Sequence, residues 1–495
     1  MSEKYTEIRQ ASLYKRMLFL LKDSVLYGGA SSLSKFFYIL LLPLLTNLMT
    51  KEEFGIYDTL MVVSNFVLVL IVFGTDSSLA RFFYETKDKE EQIELVSQTL
   101  LYELLASIFV AVILFLSSDH ILKFYFGVND YKWEFTILII SIPFIIIVRF
   151  TQNILKWVFF RKEFLIVSAG SVIVTLILSI ASVSILGAEI QFLFYSQLIS
   201  MLGFSFLGLY YCRNYIRPIY RLSTLPAQLK FGAPFAINVL VIALLPILDR
   251  YLISNFLGIA FLGLYAVGSK IAGLSQFAIS GFQVAWGPFA YSIMNEEKQN
   301  ETYIKVFNYY LLFIVVFSTT FSFLIPVFIN LLATSEYSST GLIILLLLYS
   351  KLISSISGIT AIGLELSKKT IHNLTASIVL LVSTAILMFA FINLFGIDGV
   401  ALSILLGNVI YVMFINFMAF KVSGIDFPHF KAIKYLLFAI IGNLLLLLTP
   451  SLGLKLLIYL SMVTLLLIYF YRRFMDKGEM LRIQKLFDGL LKRKY

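Results

Sequence analysis

The stretch LLIYLSMVTLLLIYF, residues 456–470, decides the class of fold. It holds no charge and is apolar nearly all round, which suits a helix in hydrocarbon. A membrane strand would alternate polar and apolar residues over about ten positions. Runs of the same kind recur along the whole chain. Its 495 residues are 59% hydrophobic and 14% charged, with a mean hydropathy of +0.90, whereas soluble domains are about 25% charged. A helix needs roughly 20 apolar residues to cross about 30 Å of hydrocarbon. About fourteen such spans are expected, near 24–47, 57–80, 93–117, 136–157, 164–187, 190–211, 230–256, 260–291, 304–331, 339–364, 371–394, 397–420, 432–450 and 452–471. The chain reads as an all-α polytopic membrane protein.

Orientation follows from Lys and Arg, which collect on the cytoplasmic side of membrane proteins. With both termini and every even-numbered connection on one side, that side holds 30 of the 39 basic residues. The other side holds Lys51, Lys123, Lys132 and Lys455. Both termini are therefore expected in the cytoplasm. The net charge of +10 is accounted for by basic residues placed near anionic lipid, without a nucleic-acid partner.

The polar start MSEKYTEIRQASLYKRM is not a cleavable signal peptide. The lone Cys212 excludes an internal disulfide, and His120, His372 and His429 are scattered, so no metal site is expected. Long soluble segments that would house an enzyme are missing. Gly263-Leu-Tyr-Ala-Val-Gly268-Ser-Lys270 comes nearest to a nucleotide-binding loop but lacks its Gly-Lys-Ser/Thr ending and lies inside a span, so no ATP site is read there and no cofactor is called for.

The chain divides into a segment 1–23, a first lobe 24–211, a loop 212–229, a second lobe 230–420, two further spans over 421–471 and a basic tail 472–495. In the tail, Met480, Ile483, Phe487 and Leu490 recur at helical spacing and predict an amphipathic helix at the membrane surface. Similar phrases open both lobes: LLPLLTNLMTKEEFGIYDTL from Leu41 and LLPILDRYLISNFLGIAFLGLYAVG from Leu244. Each has a proline late in the first span (Pro43, Pro246) and then a Gly-x-Tyr (Gly55 to Tyr57, Gly263 to Tyr265). Six spans between copies give both the same orientation, as in parallel-repeat transporters, and put the expected substrate cavity between lobes. The two prolines are hinge candidates, or static kinks.

Five basic residues fall inside spans: Lys35, Arg149, Arg250, Lys270 and Lys351. Such a charge costs roughly 2.5–3.5 kcal/mol against hydrocarbon and calls for protein or water around it. Arg149 and Arg250 lie near enough to an interface to snorkel. The intramembrane acids number fewer, with Asp76, Glu103 and Asp249 in spans and Glu365 at an edge. An excess of positive charge at depth suggests a cavity for an anion such as phosphate. Asp249 and Arg250 are adjacent, so about 100° apart on a helix. The expectation is that Arg250 faces the cavity while Asp249 pairs with a neighbouring helix, the alternative being a structural ion pair. Asp76, Glu103 and Asp249 are also candidate sites for ion coupling or gating.

The phrases PLLTNLMTKEEFGIYD, GTDSSLARFFYE, LKFGAPF, LLPILDRYLISNFLG, GLYAVGSKIAG and AWGPFAYS resemble the polysaccharide transport family of Wzx-type repeat-unit flippases, within the multidrug/oligosaccharidyl-lipid/polysaccharide exporter superfamily. The likeness runs from about Lys22 to Ser292 and continues mainly as topology. It implies two six-helix lobes around a central cationic cavity, plus two C-terminal helices. It further implies alternating-access transfer of undecaprenyl-diphosphate-linked oligosaccharide to the outer leaflet of a bacterial cytoplasmic membrane, for O-antigen, capsule or exopolysaccharide synthesis. A polysaccharide polymerase and a chain-length regulator are the implied protein partners. With no ATP site, an ion gradient or the membrane potential is the expected driver, with a proton or a sodium ion as the candidate coupling ion. A lipid II or teichoic-acid precursor flippase and a drug or cation antiporter are the rival readings.

Overall fold

The computed structural model describes residues 39–474 apart from 188, 219–221, 368 and 370. Lys35, most of the first expected span and the amphipathic tail lie outside the described residues. Among those described there are helices and no strands.

In chain order the helices of the first half are α1 (Ile39–Leu48), α2 (Lys51–Val72), α3 (Thr75–Glu85), α4 (Lys89–Leu116), α5 (Ser118–Phe126), α6 (Lys132–Trp157), α7 (Arg161–Leu186) and α8 (Ile190–Cys212). The second half has α9 (Leu225–Phe256), α10 (Ile259–Gly273), α11 (Ser275–Ser292), α12 (Gln299–Leu332), α13 (Gly341–Thr360), α14 (Ile362–Leu366) and α15 (Ile371–Ser423). Then come α16 (His429–Leu448) and α17 (Leu452–Phe474). The second to fourteenth expected spans each have their counterpart, and α1 covers the described end of the first. The second corresponds to α2 with α3, the eighth to α10 with α11 and the tenth to α13 with α14. The eleventh and twelfth share α15, whose 53 residues turn back at Gly396, in a non-helical conformation with φ 57° and ψ −135°. Ten stretches are long and apolar enough to cross a membrane among the described residues.

Local sequence sets the ends. Thr50 and Glu53 form a reciprocal capping box at the start of α2, so two free N–H groups find oxygen partners. At the other end Phe73 (φ 41°) and Gly74 (φ 76°) are both left-handed, which separates α2 from α3. Only glycine adopts that conformation freely, so the break is built around Gly74. Neither candidate hinge interrupts its helix: α1 runs through Pro43 and α9 through Pro246. At Pro43 the carbonyl accepts the Asn47 side-chain N–H at 2.7 Å.

Large apolar side chains point outward, with Leu116 75%, Ile185 79% and Leu448 77% exposed, while small and hydroxylated residues pack inside. Ser200 on α8 donates to the Ser171 carbonyl of α7 at 2.8 Å, and a Cβ at Gly208 would lie 2.3 Å from Thr151 Oγ1 of α6. In lipid, where hydrocarbon drives nothing together, close backbone approach and interhelical hydrogen bonds do that work. The result is two six-helix lobes around a central cavity, with two C-terminal helices. The last two dock on the second lobe. Asn443 of α16 donates to Tyr349 Oη of α13 at 2.6 Å, and Tyr459 of α17 lies 3.2 Å from Thr320 Oγ1 of α12.

Candidate functional site

Two glycines bring the lobes together at the end where α2 and α10 begin, which is the expected outer end. A Cβ on Gly55 would lie 2.6 Å from Leu262 Cβ, and one on Gly263 would lie 2.1 Å from the Lys51 carbonyl oxygen. The phrases that open the two lobes therefore meet, glycine to glycine, across the seam.

That contact sets Asp58 of α2, about two turns into its helix, opposite the α9 and α10 side chains. Asp58 Oδ2 accepts from Arg250 Nη2 at 2.8 Å and Oδ1 from Lys270 Nζ at 2.8 Å. Arg250 Nη1 also meets Asp249 Oδ1 at 2.8 Å, and Asp249 Oδ2 accepts from Tyr265 Oη at 3.0 Å. The Arg250 guanidinium lies 5.0 Å from the Tyr265 ring centroid. Two carboxylates and two cations balance. Asp58, Asp249 and Arg250 are buried, while the Lys270 side chain is 34% exposed. The Arg250 Nε is buried without a hydrogen-bond partner among the described residues.

This corrects the reading of Asp249 and Arg250. The arginine is held in buried ion pairs where it was expected to face a cavity, while the acid does reach a neighbouring helix, through Tyr265 of α10. The long arginine curls back onto its neighbour and also crosses the seam to Asp58. The sequence inventory of intramembrane acids missed Asp58, which closes the phrase GIYD one residue inside its expected span. Counting it leaves a smaller excess of positive charge at depth.

At the opposite, expected inner end, the hydrogen bonds across the seam join neutral groups. Gly74 and Gly232 of α9 touch backbone to backbone: a Cβ on either would lie 2.4–2.6 Å from the other's carbonyl oxygen. Beside them Thr99 Oγ1 donates to Gln228 Oε1 at 2.8 Å, and Gln98 Oε1 accepts from Thr224 N and Oγ1 at 2.9 and 2.8 Å. Arg81 stacks 4.5 Å over the Phe231 ring.

The remaining candidates divide. Arg149 of α6 and Asp76 of α3 pair at 3.5 Å, with side chains 40% and 36% exposed. Glu103 of α4 is buried, and its Oε1 lies 2.6 Å from Thr75 Oγ1. Lys351 sits half-buried on α13, a helix packed against α10 and α15. Among the described residues, no group of three His, Cys, Asp or Glu side chains is placed to hold a metal ion.

A family model described as "Polysaccharide biosynthesis protein" matches residues 20–294, more than half of the chain. No curated protein matches significantly. Among solved structures, the chain is similar to "Lipid II flippase MurJ, inward closed conformation", with a TM-score of 0.72 and 18% identity over 91% of this chain and 99% of that one. A multidrug resistance MATE family transporter of the MOP superfamily in its inward-facing conformation gives a TM-score of 0.61 and 15% identity over 81% and 95%. An outward-facing conformation described in the same words gives 0.57 and 16% over 82% and 96%. At identities this low, the TM-scores show a shared fold and nothing beyond it.

Proposed function

The chain belongs to the polysaccharide biosynthesis protein family, and from that premise we propose that it is the flippase for a lipid-linked oligosaccharide. Its cargo would be an undecaprenyl-diphosphate-linked repeat unit, moved from the inner to the outer leaflet of the bacterial cytoplasmic membrane, with both termini cytoplasmic. The observation that carries this reading is the seam cluster: Lys270 is part-exposed yet bound to a carboxylate from the other lobe. A diphosphate reaching Lys270 competes with Asp58 for the cations, since phosphate offers charge-assisted acceptors of the same kind. Exchange of Asp58 for phosphate removes the ionic link between lobes while keeping Lys270 and Arg250 paired. Binding and opening of the outer end then become one event.

Arg149, a further part-exposed cation, would meet the diphosphate near the inner end, with Lys35 and Lys351 as further phosphate contacts along the path. Pro43 and Pro246 are proposed as the places where intact helices flex. Asp76 and Glu103 remain the proposed coupling sites, and Asp249 the residue that holds Arg250 at the gate. An apolar cavity of about 520 Å³ lined by Phe307, Ile353, Leu405, Met413 and Leu436 offers room for part of the lipid chain.

Proteoliposomes carrying a fluorescent undecaprenyl-diphosphate oligosaccharide test this reading. Wild-type protein should move the lipid, and Lys270→Ala should lower the rate about ten- to hundred-fold, the equivalent of one lost charged hydrogen bond of ~1.5–3 kcal/mol. Correct insertion is checked in parallel. A wild type that moves no lipid-linked sugar but expels organic cations would overturn the proposal in favour of an antiporter. Movement of lipid II in preference to repeat units would shift the cargo while leaving the mechanism in place.

A further inference from the structure

A single hydroxyl hydrogen cannot serve two acceptors at full strength. Thr75 Oγ1 lies 2.6 Å from the Val72 carbonyl oxygen and 2.6 Å from Glu103 Oε1. Both are hydrogen-bond distances, and the side chains are buried, Thr75 at 0% and Glu103 at 3% exposure. If Glu103 were ionised, Thr75 would have to donate to it, and Thr75 Oγ1 and the Val72 oxygen would stand 2.6 Å apart with no hydrogen between them. If Glu103 carries a proton, it donates to Thr75 Oγ1 and Thr75 donates to Val72, so both short contacts are satisfied. The surroundings agree. No basic side chain lies within ion-pair distance of Glu103 among the described residues, because Arg149, the nearby cation on α6, pairs with Asp76 of α3. Near Glu103 are also Tyr102 on the same helix, the Asp76 carboxylate of α3 and, bonded to Thr99 one turn away, the neutral Gln228 of α9. An ionised carboxylate without a partner is costly in such a place.

We infer that Glu103 holds a proton in this conformation, and that releasing it is the step that couples transport to a proton gradient. On release the Glu103 O–H bond breaks, the proton leaves to water, and the Thr75 hydroxyl turns from the Val72 carbonyl to the new carboxylate. The Val72 carbonyl loses its side-chain partner, one residue before the left-handed pair Phe73–Gly74 that separates α2 from α3. Gly74 is the residue in backbone contact with Gly232 of the other lobe. A proton on Glu103 is thus linked through two hydrogen bonds to the inner seam. The coupling role rests on the transport reading above; the protonation does not.

Infrared spectroscopy of the purified full chain in lipid at neutral pH tests the protonation without any substrate. A protonated-carboxyl C=O stretch should be present in the wild type and lost in Glu103→Gln. It should persist in Asp76→Asn. Thr75→Val should shift the band and Thr75→Ser restore it. A wild-type spectrum that Glu103→Gln leaves unaltered would overturn the inference. For the coupling, flipping rates are compared with and without an imposed pH gradient. The wild type should respond to the gradient and Glu103→Gln should give one rate under both conditions. An equal gradient response in both proteins would remove the coupling role, whereas a wild type with the band but no lipid movement would count against the flippase reading alone.

Discussion

The two ends of the seam hold the same pair of lobes by different chemistry. At the expected outer end two acids and two cations lock α2 to α9 and α10. At the expected inner end the links are amide and hydroxyl hydrogen bonds and the stacking of Arg81 on Phe231, beside two touching glycines. An ionic lock is strong while its members stay paired and is open to exchange by any anion that reaches it. Neutral hydrogen bonds give an anion nothing to compete for. The difference suggests that the outer end answers to cargo, and the inner end to whatever alters the backbone around Gly74.

The largest effect should come from Arg250→Ala, which leaves Asp58 and Asp249 facing each other with Lys270 as the remaining cation. Removing one partner of a buried pair costs about 3–5 kcal/mol, so the thermal midpoint in detergent should fall and a spin-label distance across the outer end should lengthen. An unaltered distance would show that the glycine contact alone keeps that end shut. Gly263→Leu comes next. A side chain there meets the Lys51 carbonyl, and overpacking of this kind costs about 1–3 kcal/mol. It should open the outer end with all four charges intact, which separates packing from electrostatics. The smallest effect is expected from Gln228→Ala at the inner seam, where one hydrogen bond to Thr99 is worth about 0.5–1.5 kcal/mol. Adding a soluble diphosphate should lengthen the outer distance in the wild type and leave the inner one unaffected. The reverse pattern would invert the assignment of the two ends.

Much of the architecture is legible in the sequence because lipid imposes a simple rule: uninterrupted apolar runs of fixed length. Thirteen of the expected spans and the described end of the first are helical, and the repeated Gly-x-Tyr phrases turn out to be the surfaces that touch. The site was less legible. Asp58 reads as the edge of a span, and its link to Arg250 joins positions 192 apart in sequence, which periodicity along one helix does not report. Adjacent residues on a helix point apart at Cβ, yet arginine is long enough to undo that, so Asp249 and Arg250 meet. The prolines drew attention as helix breakers, whereas the visible break sits at Phe73–Gly74, where a glycine in an apolar run gave only a weak signal.

The glycine pair at the inner seam also sets a lever. Between Gly232 and Arg250 α9 runs eighteen residues, about 27 Å at 1.5 Å per residue. With no side chains interlocked where Gly74 meets Gly232, that point can act as a fulcrum. With α9 moving as one body, any bend at Pro246 held fixed, a tilt of only about 10° there would carry Arg250 roughly 5 Å, well beyond hydrogen-bond reach of Asp58. A small rocking motion at one end would therefore be enough to part the ion pairs at the other.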